Sequence, residues 1–215
     1  MGSTRLPGKI LQPIAGRPLL EHILGRLATL RHSARIVIAT SDTPRDDVVA
    51  AFCAERGVEC FRGSEQDVLG RYYHCARLRD FDPIVRLTGD NPFTDVEELD
   101  RLIDFHHAGC YDYSSSFDQL PVGVGAEIFT FAALERSYLE GHAPHHREHV
   151  DEYILENADL FRCGRLAVPE HKNRPTLRLT VDTPDDLRRA QLLAEQSAGP
   201  WLTTEEAINL CSRFA

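Results

Sequence analysis

Apolar positions along the chain follow two alternating spacings. Leu19, Leu20, Ile23, Leu24, Leu27 and Leu30 recur at helical intervals, which predicts an amphipathic helix over residues 18–31. Residues 35–40 carry the unbroken run Ile36-Val37-Ile38-Ala39, as in a buried strand of a parallel sheet. Thr43 then caps a helix, with Pro44 in its first turn and Asp46 at its positive end. The cycle repeats with a strand at 58–61, a helix at 67–79 and a strand at 83–88 whose core residues are Ile84, Val85 and Leu87. Thr94 and Glu97 form a capping-box pattern ahead of a helix at 95–108.

Beyond residue 110 the pattern loosens. Stretches 112–117, 125–131 and 160–168 read as extended, with helices near 131–140 and 145–158. A strand at 177–181 leads to a helix opened by Thr183-Pro184-Asp185-Asp186, and another helix lies near 204–213. This alternation predicts a three-layer α/β domain around a mostly parallel sheet, with residues 110–170 as an elaboration for an acceptor or a subunit contact. Such sheets bind ligands where strand ends meet loops.

Composition narrows the picture. With 215 residues, 42% of them hydrophobic, the chain suits one substantial domain. A net charge of −9 argues against nucleic acid or a membrane surface as partner, so a phosphate-rich ligand needs a local basic pocket. No apolar run approaches the roughly 18 residues that span a bilayer, and the first residues do not resemble a signal peptide, so a cytoplasmic location is expected. Six cysteines, none in a CxxC pair, read as buried thiols rather than disulfides or a zinc cluster.

Three segments carry chemistry. Gly2–Lys9, GSTRLPGK, packs two glycines, two small hydroxyl residues, Arg5 and Lys9 into eight positions. Glycines let backbone N–H groups approach phosphate, and Arg5 and Lys9 can neutralise it. The GxxxxGK[ST] spacing of a Walker loop fails at its end, and a flexible basic terminus is the competing reading. In Leu87-Thr88-Gly89-Asp90-Asn91-Pro92, Asp90 ends a buried strand, where a carboxylate can hold Mg²⁺ against phosphates. An ordinary turn aspartate is the alternative. Asp182 likewise ends an apolar stretch, and Thr183 already caps the following helix, so Asp182 is a natural second metal ligand, with Asp185 and Asp186 serving the helix end.

Together these segments resemble the cytidylyltransferases that activate sugars as CMP derivatives, most closely the spore coat polysaccharide biosynthesis protein F type. GSEQDVLGRYYHCA, GVGAEIFTFAALE and REHVDEYI extend the resemblance over nearly the whole chain. It implies a Rossmann-like nucleotidyltransferase fold with a mixed sheet and transfer of CMP from CTP to a sugar acid or related small acidic acceptor, with release of pyrophosphate. Arg5 and Lys9 would bind the triphosphate, Gly2, Ser3 and Thr4 would shape the loop, and Asp90 and Asp182 would coordinate Mg²⁺. Arg147 and His149 are candidates for an acceptor carboxylate or a dimer contact, and Glu127 for facing the acceptor; a homodimer is expected. Thr40-Ser41 and Gly63-Ser64 are candidates for base or ribose, with turn and cap roles competing. Arg71 divides between substrate and ion pairing.

The stretch His142 to His149 invites a zinc site through His145 and His149, but no matching cysteine or acid stands nearby. Family members begin with an apolar strand and an arginine before the stretch matching Met1-Gly2-Ser3. A misplaced start codon, a trimmed chain or a missing first central strand would each account for the difference. A glycosyltransferase is the alternative enzyme class, although Asp90-Asn91-Pro92 supplies no DxD; nucleotide binding without turnover is a third reading.

Overall fold

The structure, a computed structural model, describes residues 1–214. A short hairpin, β1 (Pro13–Ile14) and β2 (Arg17–Pro18), leads into helix α1 (Leu19–Leu27). Strands β3 (Val37–Ser41) and β4 (Glu59–Gly63) pair in parallel around α2 (Asp47–Arg56), and α3 (Val68–Arg79) follows. Next come β5 (Ile84–Arg86), α4 (Val96–Gly109), β6 (Tyr113–Ser115), β7 (Glu127–Phe129) and α5 (Phe131–Glu140). Then α6 (Pro144–Glu148), α7 (Glu152–Glu156), β8 (Cys163–Arg165), α8 (Pro184–Glu195) and α9 (Thr204–Phe214) complete the order.

The second sheet runs β5-β7-β6-β8; β7 is antiparallel to both neighbours and β6 is parallel to β8. Successive strand residues reach opposite faces, as the pleat requires. Ile84 and Phe129 pack with α3, α5 and α7, whereas Val85 and Ile128 pack with α4. Those two faces define three layers, and a further core lies among α1, α2, α8 and α9.

Several elements differ from expectation. Thr43 makes no capping bond; Pro44–Asp46 is a 3₁₀ turn ahead of α2, and Asp46 instead accepts from Thr40, Ser41 and the Met1 amino group. Asp95, not Thr94, caps α4, accepting from the Glu98 N–H. The 145–158 helix is broken into α6 and α7. The 177–181 segment forms only an isolated bridge, Val122 with Arg178. All six cysteines are free, but Cys110 and Cys163 are exposed. Buried Lys172 meets Asp95, Glu97 and Glu98 at the start of α4, tying the 168–177 chain to that helix.

Among the described residues β3 and β5 are not joined, so the sheet is split. A cavity of about 680 Å³ separates them, lined by Ile36, Ile38, Ile84, Leu87 and side chains of α1 and α3. This is why Ile36 to Ala39, expected to be buried, are only half-buried.

Candidate active site

The phosphate-loop candidate is ordered by its own backbone. Leu6 N–H donates to Ser3 Oγ at 3.2 Å, and Lys9 N–H to the Leu6 carbonyl at 3.2 Å. Gly8 takes φ +69°, a left-handed turn that suits glycine, and starts a 3₁₀ turn that points Lys9 inward. Gly2, Thr4 and Arg5 are exposed.

The carboxylates of Asp90, four residues past β5, and Asp182, just ahead of α8, meet. Val181 N–H donates to the Asp90 carbonyl at 2.9 Å, so the chain ends carrying Asp90 and Asp182 lie side by side. Lys9 Nζ donates to Asp90 Oδ2 at 2.9 Å and to Asp182 Oδ1 at 2.7 Å, with Arg5 3.4 Å from the same Asp182 oxygen. Burial pushes the Asp182 carboxyl upward, but the hydrogen bond and charge of Lys9, then Arg178 and Arg5, outweigh it and hold the group below the usual carboxylate range. Two hard oxygens converging on one cation fit a divalent ion such as Mg²⁺, which takes carboxylate oxygens and keeps several waters.

Three arginines each carry a buried N–H without a hydrogen-bond partner: Arg71 Nε, Arg86 Nε and Arg147 Nη1. Arg86 lies over the Tyr72 ring, next in sequence to Arg71. Arg147 donates to the Tyr138 carbonyl and lies 3.7 Å from Asp67, which caps α3 one turn before Arg71. Unpartnered buried donors of this kind suit an anionic ligand. Arg71 also donates to the Ser64 carbonyl, and a side chain at Gly63 would press on Arg71, so Gly63-Ser64 sits against it.

Other expectations are corrected. Glu127 does not face an acceptor: it is fully buried on β7, opposite Arg86 in register, and its carboxylate is taken by Arg86 and the Tyr113 hydroxyl. Burial raises its carboxyl to about 7, against the opposing pull of Arg86. Thr40 and Ser41 use their hydroxyls on Asp46 rather than leaving them for a nucleotide. His149 is exposed at the C-cap of α6, its backbone N–H donating to the His145 carbonyl at 2.8 Å. His145 instead shares Glu156 with His146, at 2.8 and 2.7 Å, and those three side chains are near enough to share an ion. The acid that the sequence did not show is therefore supplied by α7. His146 Nδ1, however, accepts the Ala143 N–H, so its Nε2 carries the proton given to Glu156 and is no metal donor in this arrangement.

Comparison with known proteins agrees with the geometry. Residues 1–208 match the model of a family described as cytidylyltransferase. The spore coat polysaccharide biosynthesis protein SpsF of Bacillus subtilis is 36% identical over 222 residues, covering 99% of this chain and 91% of that protein. The 3-deoxy-manno-octulosonate cytidylyltransferase of Anaeromyxobacter dehalogenans is 27% identical over 236 residues, covering 92% and 95%. A solved cytidylyltransferase from Leptospira borgpetersenii superimposes with a TM-score of 0.91 at 30% identity, covering 100% of this chain and 91% of that one.

Proposed function

Since the chain belongs to the cytidylyltransferase family, we propose that it transfers CMP from CTP to a sugar acid or related small acidic acceptor in surface polysaccharide synthesis. The observation that carries this reading is the convergence of Asp90 and Asp182 on Lys9 at the mouth of the glycine-rich loop.

Asp90 and Asp182 would hold Mg²⁺, and when bound the ion neutralises the triphosphate oxygens and the departing pyrophosphate. Arg5 and Lys9 turn from the carboxylates to the triphosphate, and the Gly2-Ser3-Thr4 backbone wraps it. The acceptor oxygen attacks the α-phosphorus in line, a new P–O bond forms, and the bond to the bridging oxygen breaks as pyrophosphate leaves. No protein nucleophile takes part, because positioning and charge neutralisation carry reactions of this type. The unpartnered N–H groups of Arg71, Arg86 and Arg147 support an anionic acceptor. The same reading makes the enzyme a cytoplasmic homodimer, with exposed Leu139, Leu155 and Leu160 in the 110–170 region supporting a contact there.

The test is pyrophosphate release with each of the four NTPs and Mg²⁺ across a panel of acidic sugars, where CTP with one acceptor is expected to stand out. Asp90→Ala should abolish turnover more than it weakens CTP binding. Normal turnover in that variant would remove Asp90 from the metal site.

A further inference from the structure

We propose that Arg178 is a positioning residue for the paired carboxylates, matched on the opposite side by Thr88. The proposal rests on reading Asp90 and Asp182 as metal ligands.

Each carboxylate has one oxygen tied by a neighbour and one turned toward Lys9. On Asp182, Arg178 holds Oδ2 while Oδ1 receives Lys9. On Asp90, the Thr88 hydroxyl donates to Oδ1 at 2.6 Å while Oδ2 receives Lys9. The tying groups are themselves fixed. Asn91 Nδ2 donates to Thr88 Oγ1 at 2.8 Å, which leaves the Thr88 proton for Asp90. Arg178 belongs to the extended segment bridged to Val122, and its Nε lies 3.8 Å from Asp186.

Asp186 meanwhile accepts the backbone N–H of Asp182 at 3.1 Å, so main chain and side chain of that residue are restrained together. The Arg178 guanidinium reaches the carboxylate four residues on, at the Asp182 oxygen turned away from Lys9. A carboxylate free to rotate would offer either oxygen. These two present a chosen oxygen each, on one cation, as Mg²⁺ with its strict octahedral geometry demands.

The experiment measures Mn²⁺ binding by electron paramagnetic resonance at saturating CTP, and CTP binding without metal, on variants whose thermal midpoints match the parent. Arg178→Met and Thr88→Val are each expected to weaken Mn²⁺ binding ~10-fold or more, as loss of an outer partner does, with metal-free CTP affinity nearly unchanged. Thr88→Ser restores the hydroxyl and should restore Mn²⁺ affinity; Arg178→Lys keeps charge without the fork and should fall between. Asp182→Asn is the reference arm. If it keeps Mn²⁺ affinity, the metal reading falls and this proposal with it. If it loses Mn²⁺ while Arg178→Met and Thr88→Val do not, only the positioning role is overturned. A fall in metal-free CTP affinity with Mn²⁺ affinity intact would make Arg178 a nucleotide contact and overturn it equally.

Discussion

Glu127 and Arg86 face each other across β5 and β7, one fully buried and the other nearly so. Removing one member of such a pair leaves an uncompensated charge, so Glu127→Ala should destabilise the protein by about 3–5 kcal/mol, read by urea unfolding. This residue also marks where sequence reasoning stops. Its segment is visible in the sequence, but the register that sets it against Arg86 arises between positions 41 residues apart. Asp90, Asp182 and Lys9 stood out because a Gly-Asp turn, a carboxylate ahead of a capped helix and a glycine-rich loop are local patterns. Arg178 was missed because the bend that brings its guanidinium onto Asp182 is set by tertiary contacts to Val122 and Asp90, not by a strand period.

Among the elements, α8 is the best announced. Thr183 accepts from the Asp186 N–H and Asp186 returns a bond to the Thr183 backbone, the capping box that the segment's Thr-Pro-Asp-Asp start contains. Thr183→Ala is expected to cost about 1 kcal/mol in denaturant unfolding. Asp186 does more than serve the helix end, because it also holds the Asp182 backbone. Where a helix end had rival caps, the sequence misled: Thr94 offered a hydroxyl, yet Asp95 is the residue placed to accept from Glu98. The 177–181 strand failed for a different reason. Apolar content favours extension, but a ladder needs a partner along its length, and Val122 pairs with it only locally.

At the scale of the molecule the split sheet dominates. Met1's amino group binds Asp46, whose other oxygen accepts from Ser41 at the carboxyl end of β3. A segment leading into Met1 would therefore run along the slot beside β3. Joining a continuous apolar segment of about six residues ahead of Met1 should fill it and raise the thermal midpoint by several degrees, as each added kcal/mol gives about 2–4 °C in a chain of this size. No rise would show that the slot does not take a strand. The distribution of basic residues has a consequence of another kind. Only two lysines stand against a background of arginine, and both are clasped by carboxylates. Lys172 is buried and, through Glu97 and Asp95, held protonated against the penalty of burial, which makes it a poor nucleophile. Amine-selective acylation of the folded protein thus has one lysine side chain to read, Lys9, apart from the Met1 amino group, and a bound triphosphate would announce itself as protection of Lys9.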